Sequence, residues 1–438
     1  GGIVYDVLTD VNLAGTTKVD DLTVGDDLVV GGDIDLAGSI DVDGTTETDV
    51  LTINGSQLNY KAFGTSSIMF GDTTTGTISG ANYNTGVGID VFAALTTGDE
   101  NIALGYSALN DLTTGSSNTA MGSTAGGKIT TGGSNVALGA DSLKNTTTAS
   151  NNTAVGKSAL GANTTGTGNT GLGKEAGGAI TTGDFNTFVG IAGFTTTTAD
   201  NNTAVGYNSM ALNTTGTVNT AVGSTALSAN TTAASNTAIG YGALTTATTG
   251  GLNTAVGRSA LLDLTTGTPN VAVGAYAGQS VTTGASNTFI GYQAGDATTT
   301  ADGNTAVGRD SLVANTTGAS NTAVGAYALD ANTTAEYNTA VGKDAAGAIT
   351  TGAANTAVGK SALETATTAA NNTALGAYAL RVSTSGASNV AVGHLALTAN
   401  TTGGDNTAVG KSAMAANTTG GTNVAVGETA LDANTTGS

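Results

Sequence analysis

The chain has 438 residues and a formal net charge of −20, with 67 glycines, one proline, no tryptophan, 4% aromatic and 10% charged residues. That charge argues against nucleic acid and anionic membranes as partners, and no stretch approaches the roughly 18–20 consecutive apolar residues of a membrane span. Zero cysteines remove disulfides and thiolate metal sites. So few aromatics cannot fill a thick globular core, and such a chain folds only if a repeat shares a narrow one.

Residues 1–58 carry a hexad. Leu22/Val24, Leu28/Val30, Ile34/Leu36 and Ile40/Val42 recur every six residues, with Gly25, Gly31, Gly32, Gly38 and Gly44 in the turns. Each unit reads as one short strand and one turn. Twelve of the 32 acidic residues fall here against a single lysine, Lys18. A strand set this thin buries its aliphatics best when three chains wind about one axis, which predicts a triple-stranded β-prism or β-helix. Asp33, Asp35, Asp41 and Asp43 lack the spacing of a calcium loop and read better as solvated strand faces. Residues 59–83, with Tyr60, Phe63, Met69 and Phe70, read as a joint.

Residues 84–438 are organised by a seventeen-residue repeat, N-T-A-V-G-x-x-A-L-x-A-N-T-T-G-x-x, in twenty-one copies from Asn84 to Asn423, with one sixteen-residue step from Asn186 to Asn202. Position 5 is glycine in every copy: Gly88, Gly105, Gly122, Gly139, Gly156, Gly173, Gly190, Gly206 and onward to Gly427. A glycine demanded at one phase predicts a corner of positive φ or close backbone approach. The glycine at position 15 gives way to Ala199, Ala233 and Ala335, so that corner is less demanding. Position 4 is always aliphatic and position 2 is Thr or a β-branched aliphatic. Period-two alternation predicts a short strand with positions 2 and 4 as the inward pair. The fold expected is an all-β solenoid or β-roll of seventeen-residue coils. At about 4.8 Å per stacked strand, twenty-one coils rise roughly 100 Å, with the asparagine of position 1 and the threonine of position 13 each bonding its copy in the next coil.

Positions 9 and 12 trade volume. Leu160/Asn163, Leu312/Asn315 and Leu329/Asn332 give way to Gly126/Ile129, Gly177/Ile180, Gly278/Val281 and Ala346/Ile349. Phe188 accompanies Gly193, and Phe289 accompanies Gly295. Lost core volume is costly, so a neighbour refilling it predicts that positions 9 and 12 lie close inside one coil.

No catalytic, cofactor-binding or metal-binding residues stand out. His394 is the only histidine, which leaves no histidine cluster and no serine–histidine triad. It shares position 6 with Lys157, Lys174, Arg258, Arg309, Lys343, Lys360 and Lys411. That edge is either a corner tolerant of charge or a candidate surface-contact stripe. Tyrosines occupy positions 6 and 7 elsewhere on the same edge. The N-T-T triplets match a glycosylation sequon, but repetition accounts for them.

The N-T-A-V-G-x-x-A-L…A-N-T-T-G array and the leader D-L-x-V-G-G-D-I-D-L-A-G-S-I-D-V-D-G resemble repeat regions of tail-fibre and structural proteins of tailed phages, especially cyanophages. The pentad is also similar to the S-V-A-I-G signature in the head β-rolls of trimeric autotransporter adhesins, whose usual repeat is shorter. Both resemblances imply a homotrimeric, virion-borne or extracellular fibre. The implied partners are further copies of the chain, virion or cell-surface attachment proteins, and host-surface glycans. The expected function is the shaft of a phage tail or receptor-binding fibre; the alternatives are a bacterial surface adhesin or extracellular filament, and an ice-binding solenoid. The last is disfavoured, because ice binders tend to show T-x-T on one face whereas adjacent Thr-Thr residues point to opposite faces. An enzyme is not expected.

Overall fold

The structure, a computed structural model, describes residues 51–53, 56–58, 60–71 and 80–438. The hexad pairs and the aspartate run lie outside these residues. Two antiparallel ribbons come first, β1 (Leu51–Ile53) with β2 (Ser56–Leu58) and β3 (Tyr60–Phe63) with β4 (Ser67–Gly71). β4 then pairs in parallel with β5 (Thr85–Gly88), Ile68 opposite Thr85 and Gly71 opposite Gly88. The Ser67 hydroxyl accepts the Asn84 amide at 2.9 Å. Ser67–Gly71 therefore fills the first five positions of a coil, inside the segment read as a joint. Serine in place of the leading asparagine hid that coil from the sequence.

From β5 to β25 (Val424–Val426) every coil contributes one short strand, and each pairs in parallel with the next. The register steps by one repeat throughout, except between β11 (Thr187–Val189) and β12 (Thr203–Val205), where the short coil intervenes. The ladder is linear: among the described residues no pairing joins β25 back to β3. No helix interrupts it, and the fold is an all-β solenoid of about twenty-one turns.

The rest of each coil is turns, and their backbone groups bond along the same axis. In the coil starting at Asn101, Gly105 and Ser107 donate back to Val87 and Ile89, whereas Leu109, Asp111 and Thr113 donate forward to Ala125, Gly127 and Thr130. Buried amides need partners, and this alternation supplies them on every side of the coil. It depends on left-handed residues that turn successive peptides over. Positions 7, 9 and 17 have positive φ, for example Ser158 at 57°, Leu160 at 49° and Asn151 at 62°. A leucine in that region costs on the order of 1–2 kcal/mol, offset here by burial and by the amide bond that the turn permits.

The strand faces the core with its middle residue. Ala103, Ala120, Ala154, Ala204 and their equivalents at position 3 are buried, while positions 2 and 4 are half-buried or exposed. The expectation that positions 2 and 4 point inward is therefore corrected. The coil interior is narrow and already holds an alanine at position 8, a leucine at position 9 and an asparagine or aliphatic at position 12. A small residue at position 3 fits there and a valine pair does not. The two exceptions at position 3 show the rule. A Cβ on Gly177 or Gly193 would lie 2.4 or 2.3 Å from the Phe188 ring, and one on Gly278 or Gly295 would lie 2.7 or 2.4 Å from Phe289. Each phenylalanine thus fills the position-9 sites of two successive coils. Positions 9 and 12 meet as well: Leu112, Ile129 and Asn163 donate their amides to the carbonyls of Leu109, Gly126 and Leu160.

Two side-chain ladders run through the interior. Asn101 donates its amide N–H at 2.9 Å and its Nδ2 at 3.0 Å to Asn84 Oδ1, and its Nδ2 also donates to Gly115 O. The amide-to-Oδ1 and Nδ2-to-carbonyl bonds repeat in every coil to Asn423, and the Nδ2-to-Oδ1 bond in most of them. The threonine of position 13 bonds the main chain of its copy, as Thr113 Oγ1 does to Thr130 O at 3.0 Å. Asparagine at position 12 forms a third, broken ladder. Asn230 Nδ2 donates to Asn213 Oδ1 at 2.8 Å, but where the next coil carries Ile180, Ala247 or Ile349, the Oδ1 of Asn163, Asn230 or Asn332 is buried without a partner.

Candidate functional site

Three outward surfaces follow from this coil. The first is the outer face of the sheet, positions 2 and 4. Across all twenty-one coils it holds only Thr, Val, Ile, Leu and Met, and not one charge. Its aliphatics are partly open to solvent, with Leu104 at 41% and Leu172 at 47% exposure. A polypeptide of net charge −20 has thus kept every charge off one continuous face.

The second surface is the ridge at positions 6 and 7, entered through the position-5 corner. Gly88, Gly105, Gly122, Gly139, Gly156, Gly173, Gly190 and Gly206 have φ between 93° and 139°. A Cβ at Gly156 would lie 2.5 Å from the Gly173 carbonyl oxygen, so both dihedral and space require glycine there. At position 15 a Cβ would crowd the next coil as closely, 2.3 Å from the Gly183 carbonyl oxygen at Gly166, but φ is not positive and Ala149, Ala199, Ala233, Ala301, Ala335 and Ala369 stand there in other coils.

Beyond the corner, Lys157, Lys174, Arg258, Arg309, Lys343, Lys360, His394 and Lys411 are all exposed. Their charges are largely answered locally. Arg309 and Lys343 pair with Asp310 and Asp344 of their own coils at 2.9 and 3.1 Å, Lys174 with Glu175 at 3.4 Å, and Lys411 with Glu428 of the next coil at 3.0 Å. Exposed pairs of this kind contribute little stability.

A pattern that repeat-by-repeat reading missed also runs along the ridge. Arg258, Arg309 and Lys360 lie over the rings of Tyr276, Tyr327 and Tyr378, one coil on, at 5.4, 5.7 and 5.4 Å. The three stacks are fifty-one residues apart, three coils each, and the signal was a Gly-Ala-Tyr at positions 5–7 of three coils, beginning at Gly274, Gly325 and Gly376. Tyr378 also meets His394 edge-on at 6.1 Å, and Tyr276 meets Tyr292 at 6.0 Å. The hydrogen bond to Tyr378 holds the Lys360 ammonium above its usual pKa. These contacts stitch neighbouring coils at about 0.5–1 kcal/mol each.

The third surface is the Thr-Thr bend at positions 13 and 14. The first threonine of the bend is half-buried with its hydroxyl committed to the backbone, while the second is exposed, as at Thr164 and Thr165. Both therefore lie on the outer side of a bend, not on opposite faces of a strand. Among the described residues no group of three or more His, Asp or Glu side chains is placed to hold a metal ion. No helix of the described residues is long and apolar enough to cross a membrane. No protein-family model matches the chain, and no curated protein matches it.

Proposed function

We propose that the chain is the shaft of a homotrimeric phage tail or receptor-binding fibre, carried on the virion and holding a binding tip away from it. The observation that supports this most is the uncharged outer face of the sheet. Three chains of −20 repel one another wherever their charges meet, and positions 2 and 4 offer a long, partly aliphatic stripe where they do not. A stripe about 100 Å by 10 Å presents on the order of 1,000 Å² per chain, comparable with the roughly 800 Å² per partner of a stable interface. The hexad leader has the same need for company. The resemblance of both repeats to phage fibres selects the virion over a bacterial adhesin or extracellular filament, the second reading.

Light scattering on the full chain is the test: three chain masses are expected, and a monodisperse monomer of 41.9 kDa overturns the proposal. The regular Thr and Val rows of that face also favour an ice-binding reading over other uses of a monomer. Thermal hysteresis from a monomeric chain would replace the fibre by that reading.

A further inference from the structure

On the turn-built side of the coils, the surface sinks into a trough of about 520 Å³ between residues 141 and 194. Its floor is Gly161 and Ala162 of one coil and Gly178 and Ala179 of the next, at positions 10 and 11. The fold does not demand these glycines. Neither has a positive φ, and a Cβ would approach nothing nearer than the Ser158 or Glu175 carbonyl oxygen at 3.1 Å. Position 10 carries Lys144, Leu262, Asp330, Glu364 or Arg381 in other coils. The recess is therefore a choice of side chain and not a consequence of the coil.

The two ends are closed by bulk. Lys144 and Asn145 stand at one end, in the coil before the floor. At the other end stands Phe194, in the single sixteen-residue coil. There Ala192 takes the position-8 carbonyl role towards Gly177, and Ile191 takes the position-6 role towards Asn208, so the residue deleted is the one at position 7. The only register break in the array thus sits where an aromatic closes the trough. Asp141, Ser158 and Glu175 form the rim. The polar groups at the Lys144 end are held in place. Lys144 donates to Asp141 at 2.9 Å, Asn145 Nδ2 donates to Gly161 O at 2.9 Å, and Lys128 donates to Asn145 Oδ1 at 3.0 Å. Lys144 and Thr124 hold the Asp141 carboxyl below its usual pKa, so it is an acceptor at neutral pH. Lys144 also borders a second hollow of about 380 Å³ lined by Asp90, Asn110, Asp111 and Lys128, which prolongs the trough towards residue 90.

The chemistry narrows the ligand. Asp141 and Glu175, answered by Lys144 and Lys174, place two carboxylates on the rim, which disfavours an anion there and a nucleic acid with it. A peptide added as a strand needs unpaired backbone, but Ser158 N and Ala162 N already bond Ala140 O and Gly178 O. What suits the site is a molecule whose groups both donate and accept. Hydroxyls would donate to Asp141 and Glu175 and accept from Lys144, Asn145 and Ser158, with a C–H face against Phe194. The volume lies within the range of small-ligand sites, about 300–1,000 Å³. The geometry points to a neutral oligosaccharide strand, bound along the coil axis in the trough between Lys144 and Phe194. The inference rests on the fibre reading only for the source of the saccharide, a glycan on the surface the fibre meets.

The full chain is tested on a printed panel of neutral hexose oligosaccharides, with uronic-acid and sialylated oligosaccharides as charged controls. Affinity for the best neutral ligand is then measured by calorimetry. Neutral binding is expected, weakened tenfold or more by Phe194→Ala and by Gly178→Leu, which fills the floor, and unchanged by Arg258→Ala on the distant ridge. Circular dichroism checks that each variant is folded; should Gly178→Leu fail it, Phe194→Ala and Lys144→Ala decide. Retention of no neutral oligosaccharide, preference for charged ones, or indifference to the trough variants overturns the assignment. Mass by light scattering is read separately, so a monomer that binds saccharide sinks the fibre and spares the trough, and a trimer that binds none does the reverse.

Discussion

The three-residue strand and the turn-built ridge belong to the same coil, yet they accept opposite kinds of side chain. The strand admits no charge on its outer face and little beyond alanine on its inner one. The ridge carries lysine, arginine, aspartate, tyrosine or glycine with no change in backbone path. Both are equally well hydrogen-bonded along the axis, so backbone satisfaction does not separate them. Packing does: position 3 abuts a core too narrow for a second large residue, whereas positions 6, 7, 10 and 11 meet only solvent and the neighbouring coils. Restriction on the outside of the strand has a different cause within one chain: like positions stack in register, so a charge there would face its own copy, and β-branched residues suit the strand.

The largest expected effect tests the inner side of the strand. Phe188→Ala empties two position-9 sites at once and should cost about 3–5 kcal/mol in urea unfolding. Adding Gly177→Leu should restore a good part of that, because leucine elsewhere adopts the same φ near 50°. A double mutant no better than Phe188→Ala would show that the ring does not stand in for position 9. Next comes the corner that joins strand to ridge. Gly156→Ala should lose about 2–3 kcal/mol, since it meets both a forbidden φ and the Gly173 carbonyl. Gly166→Ala meets the Gly183 carbonyl oxygen as closely, at 2.3 Å, but carries no forbidden φ and should lose less by that dihedral part alone; equal losses would show that φ does not separate the corners. Hydrogen exchange should localise the Gly156→Ala damage to the adjoining coils, as solenoids couple only neighbours.

On the outer face, Val256→Lys should leave the stability of the single chain within about 0.5 kcal/mol. Its association should nevertheless fall, read as a loss of the trimer mass; an unchanged mass would move the interface elsewhere. The smallest effect belongs to the ridge. Arg258→Ala should remove one cation–tyrosine stack, about 0.5–1 kcal/mol, with no change in mass.

Much of this was legible in the residues. The period, the parallel stacking, the asparagine ladder and the volume trade of positions 9 and 12 could all be read from the repeat. The direction of the strand could not. A strand of three residues has too few alternations to reveal its phase, and Thr, Ala and Val are each at home on either side. Phe188 and Phe289 held the answer, because each coincides with position-9 glycines in two successive coils, Gly177 and Gly193 or Gly278 and Gly295, whereas the lone Gly126 is met by Ile129. The cation–tyrosine stacks were hidden for a different reason: their period is three coils, longer than the unit being compared. The trough was invisible because positions 10 and 11 look like free variation until the short coil sets Phe194 against them.

The sequence by itself determined the coil: its length, its glycine corner and the residues that bond to their own copies, because a strict repeat leaves one parallel register that pairs like with like. Only the tertiary structure decided which side of the strand is core and which is left uncovered. That choice is made by the left-handed turns at positions 7, 9 and 17, which swing Ala and Leu inward and leave room for a single small residue on the strand opposite.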